Sequence, residues 1–299
     1  MAGVVATRIQ AGRLARLGVV LDADDRATAL ARLCDRAGID IVWLADRAAL
    51  PDGDWPDPPD AIAREVVGEL ERAAFGAFVH DIDAGVDLLA RAGASGADPR
   101  FELAWPVERP TPPNHGPAVL SRPRRSVLVR EMAEVARALT VADDIVLPAW
   151  HFADLETAAD EVRAEALEAG RSTDALGVAA LLPVSIGRTQ AEAEARVVAD
   201  PLFLRTGHPA ENGIFGTLEE CQDRVIALAH AGITDLRCVI PATLDAHDVI
   251  AQLTAITIGT TDVLIPGSLR SPSPPPPDGW GGRSPVPDRP RVSDGSRRR

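Results

Sequence analysis

Between Leu17 and Ile256 the chain alternates short apolar runs with amphipathic stretches of helical period, and this alternation constrains its fold more than any other feature. The apolar runs are Leu17–Leu21, Ile39–Leu44, Ala74–His80, Phe101–Pro106, Ser126–Val129, Asp144–Ala149, Leu176–Ile186 and Asp235–Ile240. Their continuous apolar character, without inside–outside alternation, is that of strands buried on both faces. Helices are expected between them. The first ends at Ala37, with Leu30, Leu33 and Cys34 on one face and Gly38 as its stop. Others are expected over Ala61–Arg72, Asp83–Ala92, Glu131–Leu139 and, capped by Asp154, as far as Ala169. Two capping boxes, Thr189-Gln-Ala-Glu192 and Thr217-Leu-Glu-Glu220, open two more, and Asp245–Ile256 forms the last. Glu108–Arg125 and Asp200–Gly216 read as loops. Ala37-Gly38-Ile39 and Ala231-Gly232-Ile233 repeat one junction, a helix stopped by glycine and leading directly into a strand. Strands separated by helices pair in parallel, and eight such units match an α/β (β/α)8 TIM barrel. The rival, an open doubly wound sheet binding a dinucleotide, lacks the expected GxGxxG after its first strand.

The pattern stops near residue 267, so residues 1–267 are expected to form the barrel domain. Residues 268–299 are rich in proline and arginine, and their composition is that of a disordered tail. Of the formal net charge of −13, the segment Ser271–Arg299 contributes +3 (six Arg, three Asp), which leaves −16 on the rest. So acidic a surface excludes nucleic acid and anionic membranes as bulk partners. No signal-peptide core or membrane-length apolar run is present, and Cys34, Cys221 and Cys238 are too scattered for a disulfide framework, so a cytoplasmic location is expected. Every basic residue is Arg and there is no Tyr. A Schiff-base or P-loop lysine is therefore excluded, as is phenolic proton donation.

In a barrel of this kind, chemistry collects at the carboxyl ends of the strands. There the sequence delivers Asp22, Asp24 and Asp25, then Trp43, Asp46 and Arg47, then His80 and Asp81, then Trp105, Arg130, Trp150, His151 and Ser185. Aromatic walls with a few polar groups suit a flat conjugated ligand. Trp43, flanked by Val42 and Leu44, reads as core; Asp22, Asp24 and Asp25 read as a solvated helix start, and no metal site is expected. The cysteines lie on apolar faces and read as structural.

The stretch Leu33-Cys-Asp-Arg-Ala-Gly-Ile-Asp-Ile-Val-Trp-Leu-Ala-Asp46 resembles the early helix and strand of luciferase-like flavin-dependent oxidoreductases. Arg100-Phe-Glu-Leu103, Ala142-Asp-Asp-Ile-Val-Leu147, Glu168-Ala-Gly-Arg171, Gly187-Arg-Thr-Gln-Ala-Glu-Ala193, Gly216-Thr-Leu-Glu-Glu220 and Ala231-Gly-Ile233 follow in the family's order, together spanning about residues 17–257. The resemblance implies a TIM barrel carrying reduced FMN or deazaflavin F420 at its mouth. On that basis the expected activity is monooxygenation of a small organic substrate with reduced FMN and O2. The alternatives are an F420-dependent reductase or dehydrogenase, and a degenerate barrel that only binds a ligand. His80 and Asp46 are the candidate catalytic residues, while Trp105, Arg130, Trp150, His151 and Ser185 are the candidate cofactor contacts. A separate flavin reductase and a homodimer are further expectations. The chain departs from the family pattern where Arg47, and not His, follows Asp46, and where Ala104-Trp105-Pro106 replaces glycines.

Overall fold

The computed structural model describes residues 16–51, 55–93, 100–107, 123–204 and 212–263. The expected tail and most of the loop from Glu108 lie outside the described residues. The strands are β1 (Arg16–Asp22), β2 (Ile41–Ala45), β3 (Ala74–Phe78), β4 (Phe101–Pro106), β5 (Arg124–Leu128), β6 (Asp144–Pro148), β7 (Gly177–Ile186), β8 (Ile214–Gly216) and β9 (Asp235–Val239). The helices are α1 (Ala27–Ala37), α2 (Asp60–Glu69), α3 (Ile82–Arg91), α4 (Val135–Ala138), α5 (Leu155–Glu168), α6 (Gln190–Val198), α7 (Pro201–Leu204), α8 (Leu218–His230) and α9 (Ala246–Val263).

All pairings are parallel. Strands β1 to β6 follow in order, β6 pairs with β7, β7 with β9, and β9 returns to β1, closing an eight-stranded barrel. The short β8 stands outside this ring and extends the carboxyl end of β7, Ser185 lying opposite Phe215. The Asp200–Gly216 segment, expected to be loop throughout, therefore holds α7 and β8. Asp200-Pro201 carries the signal for the first, a capping carboxylate followed by proline at the first helical position.

Local chemistry explains most element ends. Gly38 (φ 81°) and Gly232 (φ 88°) adopt the left-handed conformation at the two junctions that repeat in sequence. Thr217 and Glu220 form the full reciprocal box expected at α8. At α6 only half of the expected box forms: Thr189 accepts from the Glu192 amide, but the Glu192 carboxylate turns back to the Arg188 amide.

Strand periodicity divides the buried residues into two layers. Outward-facing Val19, Leu21, Val42, Leu44, Phe75, Leu103 and Ile145 pack against the helices. Inward-facing Val20, Ile41, Trp43, Phe78, Ala104, Leu128, Val146, Leu181 and Val239 fill the barrel. Trp43 is fully buried inside it, confirming its reading as core. The indole fits because its neighbour across β3 is Gly76, where a Cβ would overlap the ring.

The amino-terminal half of the interior is charged. Arg16 bridges Glu102 and Asp235 (2.7 Å to the latter), Arg124 forks onto Asp144, and the fully buried Arg237 donates to Ser126 Oγ (2.6 Å). The Arg237 guanidinium also lies 3.8 Å over the Trp43 ring. Burial pushes the Glu102 carboxyl above its ordinary range, against the pull of Arg16. Burial acts the same way on Asp144, but there the Arg124 fork wins and holds it below the usual range.

Candidate active site at the barrel mouth

The carboxyl ends of the strands gather five aromatic rings. Trp55 meets Phe78 edge-on (4.9 Å between centroids), Trp43 tilts against Phe78 (5.2 Å), and Trp150 faces Phe203 of α7 at 6.5 Å. All five belong to one buried cluster with Leu50 and Leu202. The same cluster includes inward-facing side chains of the strands, so the protein's own side chains pack the mouth of the barrel.

The sequence-derived candidates divide by where the strands place them. Trp150 and Ser185 follow or end the adjacent strands β6 and β7 and are buried, with the indole Nε1 and the Ser185 Oγ lacking hydrogen-bond partners among the described residues. The next residue, His151, is half-buried, and burial together with the nearby positive charge of Arg130 lowers its pKa. Arg130 follows β5, its backbone N–H donating to Glu134 (2.6 Å). Arg130, Trp150, His151 and Ser185 therefore share one arc of the rim, over β5, β6 and β7. Trp105 is not part of it. It is fully buried, but strand parity turns its ring outward into the layer between barrel and helices.

His80 sits across the mouth, after β3. Its Nδ1 lies 3.2 Å from both oxygens of Asp57, its Nε2 lies 2.6 Å from Asp81, and Asp57 also accepts from the His80 backbone N–H. Both ring nitrogens are thus oriented by carboxylates. Asp46 acts locally: its side chain accepts from the Ala48 amide (3.0 Å) and caps the single turn Arg47–Ala49.

Sequence reasoning missed Asp57, Trp55, Asp200 and Phe203, and placed Arg47 at the end of the second strand without giving it a role. Nothing in a single sequence distinguishes Asp57, within the run Asp-Trp-Pro-Asp-Pro-Pro, from a surface loop carboxylate.

Beside the mouth, over the ends of β1 and β9, lies a groove of about 590 Å³ bordered by Asp22, Asp25, Arg47, Pro241 and His247. Its carboxylates disfavour a phosphate. Asp24, also on the border, holds Arg26 (3.0 Å), and Asp245 caps the start of α9 through the His247 amide (2.9 Å). No group of three His, Cys, Asp or Glu side chains suited to a metal ion occurs among the described residues. The three cysteines are buried and unpaired, with burial pushing the Cys34 and Cys221 thiols up to about 12. No helix among the described residues is long and apolar enough to cross a membrane.

A flavin-type group needs a flat apolar wall, donors for its polar edge and a cation for its phosphate. The β5–β7 arc fits this requirement. Trp150 offers the wall and an unpartnered donor, Ser185 an unpartnered hydroxyl, and Arg130 the charge. Buried polar atoms without partners are rare, and in a cleft they mark positions that a ligand or water completes.

No protein-family model and no curated protein matches the sequence. Solved structures do match the fold. The coenzyme F420-dependent tetrahydromethanopterin reductase from Methanopyrus kandleri superposes with a TM-score of 0.59 at 15% identity, covering 82% of this chain and 99% of that one. A riboflavin lyase, solved with modified FMN and riboflavin, gives 0.59 at 13% identity over 84% and 92% of the two chains. A long-chain alkane monooxygenase gives 0.56 at 11% identity over 84% and 91%. At these identities the likeness is one of fold. The chain has the (β/α)8 barrel that its resemblance to luciferase-like enzymes implies.

Proposed function

We propose that this chain is an oxidoreductase using a flavin-type cofactor at the carboxyl end of its barrel. Its leading reaction is monooxygenation of a small organic substrate with reduced FMN and O2. The observation that carries the reading is the pair of orphaned polar groups, Trp150 Nε1 and Ser185 Oγ, at the strand ends where this fold does its chemistry. The named functions of the structural neighbours support it at the level of cofactor class: F420 chemistry in one, an FMN-containing complex in another, monooxygenation in a third.

When bound, the cofactor supplies the electron transfer that no side chain of this protein can supply. The protein's part is binding, orientation and proton handling. Trp150 provides the aromatic wall, Ser185 a hydrogen bond, and Arg130, with His151 beside it, a charged donor for a phosphate. His80, oriented from both sides by Asp57 and Asp81, is the group placed to transfer a proton at the opposite rim. The substrate is a small molecule, a separate reductase supplies reduced FMN, and a cytoplasmic homodimer belongs to the same reading.

An F420-dependent reductase or dehydrogenase is the second reading, favoured by the F420-dependent neighbours. Titrating the purified protein with FMN and with F420, each oxidised and reduced, separates the two. Saturable binding of FMN alone supports the monooxygenase, and of F420 alone the reductase. Binding of neither form of either leaves the ligand-binding barrel without redox function.

A further inference from the structure

The rings that fill the mouth come from separate segments, and one buried ion pair ties those segments together. Asp200 is completely buried between α6 and α7. One of its oxygens accepts from Arg47 Nη2 (2.5 Å) in the turn after β2 and from the Ala242 amide (2.5 Å) after β9. The other accepts from the Leu202 amide (2.9 Å) in the first turn of α7. Arg47 is itself largely buried, its Nε has no partner among the described residues, and its guanidinium lies 5.7 Å from the centre of the Phe203 ring. Leu202 and Phe203 of α7 and Leu50 and Trp55 after β2 all pack into this one buried cluster. One carboxylate and one guanidinium thus tie α7 to the post-β2 turn beyond the strand ends.

We propose that α7 and the post-β2 turn form a closure over the mouth, latched by the Arg47–Asp200 pair, and that a planar ligand enters the mouth only when this latch opens. The inference rests on the proposed function for its ligand, but the closure is a property of the protein alone. Its chemistry favours two states. A buried ion pair is stable only when complete, so a small displacement of either segment exposes both charges to water and lets them part together. The orphaned Arg47 Nε is one group that gains a water partner on opening. The barrel strands take no part, because the pair lies beyond their ends.

Native-state hydrogen exchange on the full chain without any flavin tests this. The amides of Leu202, Phe203 and Ala242 are expected to exchange through a local opening, at rates insensitive to low denaturant. Amides that bond into a neighbouring strand of the barrel, such as Val129 to Val146 and Ala149 to Leu181, are expected to exchange only with global unfolding. Arg47→Met keeps the apolar stem and removes the charge, and is expected to speed the first set at least tenfold relative to the strand amides. Exchange of both sets in step, in wild type or in Arg47→Met, overturns the proposal. The wild-type comparison decides the matter alone if the variant does not fold. Since no flavin is present, failure of flavin binding leaves this result untouched.

Discussion

Arg16 is the keystone of the charged half of the barrel, and removing it should do measurable harm that depends on pH. Its guanidinium contacts Glu102 and Asp235, whose side chains are only 3% and 2% exposed. In Arg16→Met, Glu102 loses its ion-pair partner and Asp235 keeps, among the described residues, only Arg237, 3.6 Å away. Stranding one buried charge costs about 3–5 kcal/mol. Asp235 retains a neighbour, so the expected loss at pH 7 is about 3–5 kcal/mol for the pair and not double that. In a domain of this size that is a fall of roughly 6–20 °C in Tm. Burial already raises the Glu102 pKa in the wild type, and without Arg16 it rises further. A raised folded-state pKa means that the folded form tolerates the carboxyl best when it is neutral. Stability is then greatest below the unfolded-state value of about 4.3 and is lost as pH rises through the folded value. The Arg16→Met penalty should therefore shrink towards pH 4, and adding Glu102→Gln should recover part of it at pH 7. Urea unfolding followed by circular dichroism at pH 4.5 and pH 7 measures both effects. A loss below about 1 kcal/mol, or an equal loss at the two pH values, would refute the view that Arg16 neutralises buried carboxylates.

Other consequences are as specific. His151 has a lowered folded pKa, so its contribution to stability is present above the unfolded value of about 6.5 and is lost as pH falls through the folded value. His151→Gln should flatten the acid side of the urea-midpoint profile between pH 7.5 and 5, and an unchanged slope would remove the role. Gly76→Ala places a methyl group against the Trp43 indole, which is pinned beneath Arg237, and should cost about 1–3 kcal/mol of overpacking. A neutral result in the same unfolding assay would mean that the ring has room to move. Trp150→Phe keeps an aromatic wall but deletes the orphaned N–H, so flavin affinity should fall about two- to tenfold while the unliganded protein stays as stable. Equal affinity in an equilibrium titration would place the ligand elsewhere.

The barrel was legible because its strands are apolar on both faces and its helices carry explicit stops and caps. Gly38, Gly232, Asp154 and Thr217 each make the local structure that their chemistry favours. Position at a strand end led to Trp150, His151, Arg130 and Ser185, and the structure sets these four at or just beyond the ends of β5, β6 and β7. The same rule failed for Trp105, because a one-residue change of phase along β4 decides whether a side chain faces the mouth or the helices. Asp46 was identifiable as polar, but its task as a cap depends on the turn that follows. Asp57 and Asp200 were beyond sequence reasoning, since each gains its significance from partners distant in the chain, His80 for the first and Arg47 and Ala242 for the second. The charged network in the amino-terminal half of the interior was equally hidden, because the barrel joins Arg16 to Glu102 across 86 residues.

The most direct measurement is a fluorescence titration of the wild-type chain with FMN and F420 in both redox states, repeated with Arg130→Ala and Ser185→Ala. Saturable one-to-one binding of one of these cofactors, weakened in both variants without loss of secondary structure, is the result expected for a flavin site on the β5–β7 arc. Absence of binding by all four forms, or binding that neither substitution alters, would contradict it.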